Sequence, residues 1–303
     1  MPNMLAHIGA QGFLTRTLLP KADLKLILLG CFLPDVPWVL ARVFQGLPFG
    51  IDPYAIRLYA ITQASLFVTL FVCGAIAAVS VHPRRVFAIL ALNVVLHLLL
   101  DALQTKWANG VHLFAPFSWE ILNFELFWPE SMPTYVLTLL GLTFTVWLWR
   151  QGIEEPPALS PISLKKLIVS IGLFVMYWIL PIIFLNEPLR ENNHYVKTLQ
   201  AKNERVGQYV EFDRVEYKKG VNEDLLVSFA DEEIRIRNSQ LGDSAQVSVR
   251  GRFVDSQTIE ALAIHKHLCW FRDGSSYIGI VLLISMWGVA WGRNKKPRGV
   301  HET

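Results

Sequence analysis

Apolar runs long enough to cross a lipid bilayer constrain this chain more than any other feature. A membrane-spanning helix needs about 20 mostly apolar residues, and six stretches of the sequence approach or meet that length. The predicted spans cover residues 24–44, 57–80, 86–103, 133–150, 166–185 and 276–292. A shorter apolar helix over residues 4–19 is expected to enter the membrane only in part. Since 52% of the residues are hydrophobic and only 17% are charged, we predict an α-helical polytopic membrane protein.

Basic clusters indicate how these spans are oriented, because Lys and Arg are enriched in cytoplasmic loops. Alternating the spans between the clusters places the loops 45–56 and 104–132 and the long segment 187–275 on the extracytoplasmic side. A basic turn near residue 20 and the basic tail after residue 292 then lie in the cytoplasm. The residues assigned to the cytoplasm are Arg16, Lys21, Lys25, Arg84, Arg85, Arg150, Lys165, Lys166, Arg293, Lys295, Lys296 and Arg298.

The segment 187–275 differs in kind from the apolar stretches around it. Runs such as GQYVEFDRVEYKKG and AQVSVRGRFVD alternate apolar and polar residues between Gly, Asn and Asp turns, which is the pattern of half-buried strands. About five such strands predict a small extracytoplasmic β-barrel of the OB type. The chain therefore divides into a membrane helical domain (1–186), a β domain (187–275) and a final membrane helix with its basic tail (276–303).

The predicted barrel has two possible kinds of partner. OB barrels often bind oligonucleotides, but the extracytoplasmic position, the net charge of only +3 and the lack of an aromatic stacking stripe argue against nucleic acid. We expect the barrel to pack on its own membrane domain or on an extracytoplasmic partner protein. His265 and His267 lie on one side of a predicted strand; a two-histidine metal site is one interpretation, and a solvated strand face is the favoured one.

Ionisable residues inside the apolar stretches indicate a functional site, because such groups usually face the protein interior or a wet cavity. His97 and Asp101, in the sequence HLLLD, are four residues apart and so lie on one face of a helix. They can share a proton or a metal ion, or simply hydrogen-bond to each other or to loop backbone at the membrane edge. Asp35 stands between Pro34 and Pro37, which bend the segment and free backbone groups there.

His7 lies on the short N-terminal helix, where small residues allow close helix packing. Imidazole and carboxylate are ligand types that Zn²⁺ or Mn²⁺ uses. We therefore predict a divalent metal site, with zinc preferred, in the outer half of the membrane. Its predicted ligands are His7, Asp35, His97 and Asp101.

The order of these motifs resembles that of the predicted membrane-bound, metal-dependent hydrolases, the family that includes a LexA-regulated inner-membrane hydrolase. The matching motifs are His7, LPD at 33–35, HLLLD at 97–101 and HLFAPFS at 112–118, over about the first half of the chain. The resemblance implies a bacterial inner-membrane enzyme that hydrolyses a phosphoester, with membrane lipid as one substrate source. A distant kinship of that family to zinc-dependent phospholipase C points the same way. His7 and Asp35 would then take part in catalysis.

One motif of the family is missing here. The family carries a histidine motif of the form HRGxTHS between LPD and HxxxD, whereas this chain reads IRLYAITQASL, with Gln63 in place of an expected ligand histidine. Glutamine is a poor zinc ligand, so Gln63 favours an alternative, a non-catalytic membrane scaffold that presents the β domain to a partner. A transporter is a third hypothesis, since intramembrane His and Asp are typical there too, but the sequence shows no inverted repeat.

Other histidines and tryptophans near the predicted site have plainer interpretations. His112 is at best an auxiliary ligand, and His82 is predicted to be a cytoplasmic loop residue. Trp107, Trp119 and Trp128 fit an aromatic belt at the membrane surface.

The predicted orientation is testable by cysteine labelling or reporter fusions. Gly220 is expected outside the cytoplasm, and Glu155 and Arg298 inside it, because basic residues bracket the loops on one side only. A cytoplasmic Gly220 would contradict the orientation and, with it, the placement of the site in the outer half of the membrane.

Overall fold

The computed structural model describes residues 3–48, 50–154, 161–191 and 194–294 of the chain. Its helices are α1 (Met4–Leu18), α2 (Leu24–Phe32), α3 (Val36–Gln45), α4 (Pro53–Gln63), α5 (Leu66–Ala78), α6 (Pro83–Leu103), α7 (Met132–Glu154), α8 (Leu164–Ile183), α9 (Glu187–Glu191), α10 (Val196–Gln200) and α11 (Cys269–Asn294). Two 3-10 turns lie at Leu33–Asp35 and Lys202–Glu204. The strands are β1 (Tyr209–Lys218), β2 (Asp224–Val227), β3 (Glu233–Arg237), β4 (Ala245–Phe253) and β5 (Thr258–Lys266). Lys295, Lys296 and Arg298, used in the orientation prediction, lie outside the described residues.

The predicted membrane-helical architecture is confirmed. Within the described ranges, five helical stretches are long and apolar enough to cross a membrane, and a bent helix pair makes up to six. The five are Leu24–Gln45, Pro83–Leu103, Met132–Glu154, Leu164–Glu191 and Trp270–Arg293. The bent pair is α4 with α5, at an angle of 66°.

That bent pair corrects the prediction of one continuous span over residues 57–80. Helix α4 ends at Gln63 and α5 begins at Leu66. Between them Ser65 has an extended backbone (φ −64°, ψ 153°), and its hydroxyl donates to the carbonyl oxygen of Thr62 at 2.7 Å. Serine is favoured immediately before a helix, where it competes with continued helical hydrogen bonding. The break lets α4 pack on α3 while α5 packs on α6 and α8.

Helix α1 lies inside the helical bundle, packed most closely along α7. Two glycines make this approach possible, since a Cβ on Gly9 would collide with the carbonyl oxygen of Leu137 and one on Gly141 with that of Leu5. Fifteen residues of helix are about 22 Å long, shorter than the ~30 Å hydrocarbon core of a bilayer. The helix is therefore too short to span the core, as the sequence predicted, yet its residues 4–9 are all buried.

The β domain is a closed five-stranded barrel with the strand order β1-β2-β3-β5-β4. Neighbouring strands are antiparallel except for β3 and β5, which pair in parallel. Strand number and closure agree with the OB-type prediction. The alternation read from the sequence holds, because one face of each strand fills a shared core that also receives Tyr195 and Leu199 from the segment before β1. A bulge in β1 between Phe212 and Val215 contains Arg214 at a φ of 53°.

The barrel packs on the loop 104–131, which joins α6 to α7. The backbone N–H of Ala108 donates to Glu211 in β1 at 2.7 Å. The guanidinium of Arg250 in β4 lies 4.7 Å from the Trp107 ring centroid and pairs with Glu125. The loop is itself folded, with isolated bridges joining its two arms. The barrel therefore covers one end of the helical domain rather than standing apart from it.

The aromatic-belt interpretation of the loop tryptophans is wrong. Trp107 and Trp119 are buried, and Trp128 stacks on His265 of the barrel with the ring centroids 3.7 Å apart. Trp107 and Trp128 contact side chains of the barrel, whereas Trp119 packs against His112 and Phe184. The three rings therefore pack inside the protein instead of forming a belt.

The barrel core can be tested with a pair of identical substitutions. Val249 is fully buried in β4, whereas Val221 is fully exposed in the β1–β2 turn. In a chain of residues 190–272, which we expect to fold by itself, Val249→Ala should lower the free energy of unfolding by about 2 kcal/mol because it leaves a cavity. Val221→Ala should leave it unchanged. Circular dichroism followed during urea unfolding measures both, and a spectrum dominated by helix or coil would reject an independently folding barrel.

Candidate metal centre

Three separate elements bring the predicted ligands together. His7 lies on α1, His97 and Asp101 lie one turn apart on α6, and Asp35 ends the 3-10 turn between α2 and α3. His7 Nε2 is 3.4 Å from Asp101 Oδ1, and His97 Nε2 is 3.5 Å from Asp35 Oδ1. The imidazoles of His7 and His97 stack in parallel with their centroids 3.7 Å apart. His7, His97 and Asp101 form a buried group that can hold a metal ion, and Asp35 borders it.

Four of these ligand atoms have no hydrogen-bond partner among the described residues, although all are buried. They are His7 Nε2, Asp35 Oδ1, His97 Nε2 and Asp101 Oδ1. The alternative in which His97 and Asp101 simply bond to each other does not hold, because their closest approach is 3.9 Å, too long for a hydrogen bond. Buried polar atoms left without partners cost about 1–3 kcal/mol each. A cation shared by these atoms fits the donor set, since imidazole nitrogens and carboxylate oxygens are its usual ligands.

The outer hydrogen bond of His97 fixes which ring nitrogen is free. Its Nδ1 lies 2.7 Å from the carbonyl oxygen of Cys31, which can only accept, so Nδ1 carries the proton. The lone pair of His97 is therefore on Nε2, the atom that faces the two carboxylates. Such a backbone partner is typical of metal-binding histidines, because it sets the tautomer and orients the ring.

The orientation of the Gln11 amide decides which ring nitrogen of His7 carries the proton. Its side-chain amide lies between His7 Nδ1, at 3.0 Å, and Cys31 Sγ, also at 3.0 Å. With the amide nitrogen toward His7, the proton of the imidazole sits on Nε2 and points at Asp101. With the amide turned over, its oxygen accepts from Nδ1 and leaves Nε2 as a ligand. His7 can thus serve as a ligand or as a proton carrier, whereas His97 is committed to being a ligand.

Lys106 was not singled out in the sequence, yet it touches the centre directly. Its buried ammonium lies 2.8 Å from Asp101 Oδ2. This contact holds the carboxylate ionised and leaves Oδ1 for a ligand or a proton. The available signal was a lysine just beyond the apolar run that carries HLLLD. The turn that brings it back to Asp101 has no sequence pattern of its own.

A small cavity of about 30 Å³ adjoins His97 and Asp101, and its wall includes Trp38, Ile61 and His112. Burial lowers the pKa of His112 to about 4, so its imidazole is neutral near pH 7. Its Nδ1 lies 2.7 Å from the carbonyl oxygen of Trp119, to which it donates. His112 is thus placed beside the ligand group but outside it. His82 is exposed in the turn before α6.

Gln63 does not face this cavity. Its amide nitrogen donates to the carbonyl oxygen of Tyr177 in α8 at 3.4 Å, and its side chain lines a separate apolar groove with Tyr59 and Trp178. On α4 the residues beside the cavity are instead Ile61 and Ala64. The ligand group is therefore assembled without any contribution from position 63.

The sequence interpretation of His265 and His267 as a solvated strand face is wrong. Both meet Glu130, at the end of the loop 104–131, in a second group that can hold a metal ion. The loop covers this end of β5, which a strand pattern by itself does not reveal. Glu130 carried no signal in the sequence, because the contact joins residues 135 or more positions apart.

No family model, no curated protein and no solved structure matches the chain. The resemblance to membrane-bound hydrolases therefore stays a prediction carried by the motifs. The capacity to hold a metal ion rests instead on the buried groups and their mutual distances.

The position of His7 depends on the contact between α1 and α7, which a pair of glycine substitutions tests. Gly141→Ala should destabilise the protein by about 1–3 kcal/mol, because the added Cβ strikes the backbone of α1. Gly172→Ala is the matched control, since the same Cβ in α8 meets nothing within 4 Å. Thermal unfolding in detergent compares the two. Equal melting temperatures would show that α1 does not rely on this contact.

Proposed function

We propose that this chain is a membrane-bound, metal-dependent hydrolase of a phosphoester in an amphiphilic substrate. One observation carries the proposal: buried ligand atoms of His7, Asp35, His97 and Asp101 converge from three elements and lack hydrogen-bond partners among the described residues. The motif resemblance supports the same activity and a bacterial inner membrane as its location. Two imidazoles and two carboxylates favour zinc, with manganese as the alternative.

The roles of the residues follow from their outer contacts. His97 is a ligand because Cys31 fixes its free lone pair on Nε2, and Asp101 is a ligand held ionised by Lys106. Asp35 is the more accessible carboxylate, with 18% of its side chain exposed, so it is suited to accept a proton from an attacking water. His7 serves as a further ligand or as the partner in proton transfer. A bound divalent cation would act as a Lewis acid on the phosphoryl group and make water a stronger nucleophile.

A second pocket supports an anionic, amphiphilic substrate. It has a volume of about 110 Å³ and reaches Asp35 between α3 and α11. Arg42 and Arg272 stand in its wall beside apolar residues such as Phe32 and Ile280. Arg272 also pairs with Asp273 of the same wall at 3.0 Å, which leaves Arg42 as the main contact for an anion. Guanidinium groups fit phosphate oxygens well, and the apolar part of the wall suits the chain of an amphiphile. Both features are what a lipid phosphoester would meet on entering from the membrane.

The competing function is a non-catalytic scaffold that presents the barrel to an extracytoplasmic protein. Gln63 was the residue that favoured it. Since Gln63 bonds to Tyr177 and lines another groove, it neither completes nor disrupts the ligand group. The scaffold therefore differs from the enzyme only in lacking turnover, which an activity assay decides.

Metal content and hydrolysis test the proposal on the same samples. Purified wild type should contain a metal equivalent that both His97→Ala and Asp35→Ala lose, because each removes a converging ligand. His82→Ala, an exposed histidine outside the bundle, is the control and should keep it. Elemental analysis measures the metal, and release of phosphate or alcohol from phosphatidic acid vesicles measures activity.

Asp35→Ala should lower the rate by about 10²-fold or more, because it removes both a metal ligand and the group that accepts the proton of the attacking water. A wild type whose metal content is unchanged by both substitutions would contradict the metal centre. Metal binding with no hydrolysis of phosphoesters in any sample would favour the scaffold.

A further inference from the structure

A second cluster of ligand side chains joins the barrel to the loop 104–131. Glu130, two residues before α7, meets His265 near the end of β5 and His267 just beyond it. Glu130 Oε1 is 2.9 Å from His267 Nδ1, and Glu130 Oε2 is 3.5 Å from His265 Nε2. The ligand atoms of the three residues lie within 4.8 Å of one another.

Both ring nitrogens of His267 have partners. Nε2 lies 2.8 Å from Ser248 Oγ, and Nδ1 lies 2.9 Å from Glu130 Oε1. Ser248 Oγ accepts from the backbone N–H of Arg214 at 3.2 Å, so its own proton can go to His267 Nε2 or to Asp213, 3.3 Å away. Either a proton or a metal ion can therefore join His267 Nδ1 to Glu130.

Arg214, in the bulge of β1, donates to Glu130 Oε1 at 2.8 Å and so fixes the carboxylate against the barrel. A carboxylate placed between two imidazole rings is a donor set that binds a divalent cation.

His265 completes the set. Its ring is held by stacking on Trp128, with the planes 3° from parallel. His265 Nε2 and Glu130 Oε2 are both buried and have no hydrogen-bond partner within the described part of the chain. Two ligands bound at about 2.0–2.1 Å to one tetrahedral zinc ion are about 3.4 Å apart, close to the 3.5 Å found here. Arg214 contacts only the other oxygen, Oε1, at 2.8 Å.

We propose that Glu130, His265 and His267 bind a second divalent cation, of the zinc class, as a structural site. The site ties β5 of the barrel to the loop 104–131. That loop also carries Lys106 and His112, which lie at the first centre. The second site therefore fixes the position of the loop 104–131, which lies over the first centre. It stands whether or not the first centre is catalytic.

Metal analysis of the full-length protein in detergent separates the two centres. His265→Ala and Glu130→Gln should each lose one metal equivalent that His97→Ala retains. His194→Ala, an exposed histidine ahead of the barrel, is the control and should lose none. Unchanged metal content in His265→Ala would overturn the second site, and loss only in His97→Ala would leave the first centre alone standing.

If His265→Ala is poorly folded, a second measurement tests the second site. In the His97→Ala protein, where only the second site remains, the chelator EDTA should lower the melting temperature, and added Zn²⁺ should restore it. Added Co²⁺ in place of zinc should give visible absorption bands of a nitrogen- and oxygen-ligated ion. A melting temperature that ignores both chelator and zinc would show that a protonated His267 pairs with Glu130 instead, and the proposal would fail.

Discussion

The helical domain is organised around polar atoms that an apolar bundle cannot leave unpartnered. Burying a polar group without a partner is costly, and burying a charge more so. His7, His97 and Asp101 are therefore each tied by a second contact, to Gln11, to the Cys31 carbonyl and to Lys106 respectively. These contacts come from α1, α2 and the loop after α6. The packing of those elements therefore depends on how the polar side chains of this one small site are hydrogen-bonded.

The loop 104–131 connects this site to the barrel. Near its start Lys106 holds Asp101, and near its end Glu130 meets His265 and His267. Between these points the loop buries two of its own tryptophans and accepts Arg250 over Trp107. A loop of this length would be mobile if it were solvated on all sides. Here the barrel supplies partners for the loop, among them Glu211 and Arg250.

The sequence predicted what local periodicity encodes. The spans followed from apolar length, the strands from alternation, and the placement of His97 with Asp101 from the four-residue spacing of a helix face. Long-range partners had no such signal. Lys106 and Glu130 reach their sites through an irregular loop, and the break at Ser65 depends on a hydroxyl bonding to its own backbone. The burial of His265 and His267 had no local signal either, because the loop that covers them lies far away in the sequence.

Geometry also limits how a substrate could approach the first centre. The cavity beside His97 has a volume of about 30 Å³, room for about two water molecules, and it is walled by the covering loop. In the proposed enzyme, an amphiphilic substrate would reach the ligands from the other side, where Asp35 forms part of the larger pocket with Arg42 and Arg272. Water and substrate would therefore meet the ligand group from opposite faces. Such separation suits attack on a phosphorus atom opposite its leaving group, because the nucleophile and the leaving oxygen lie in line.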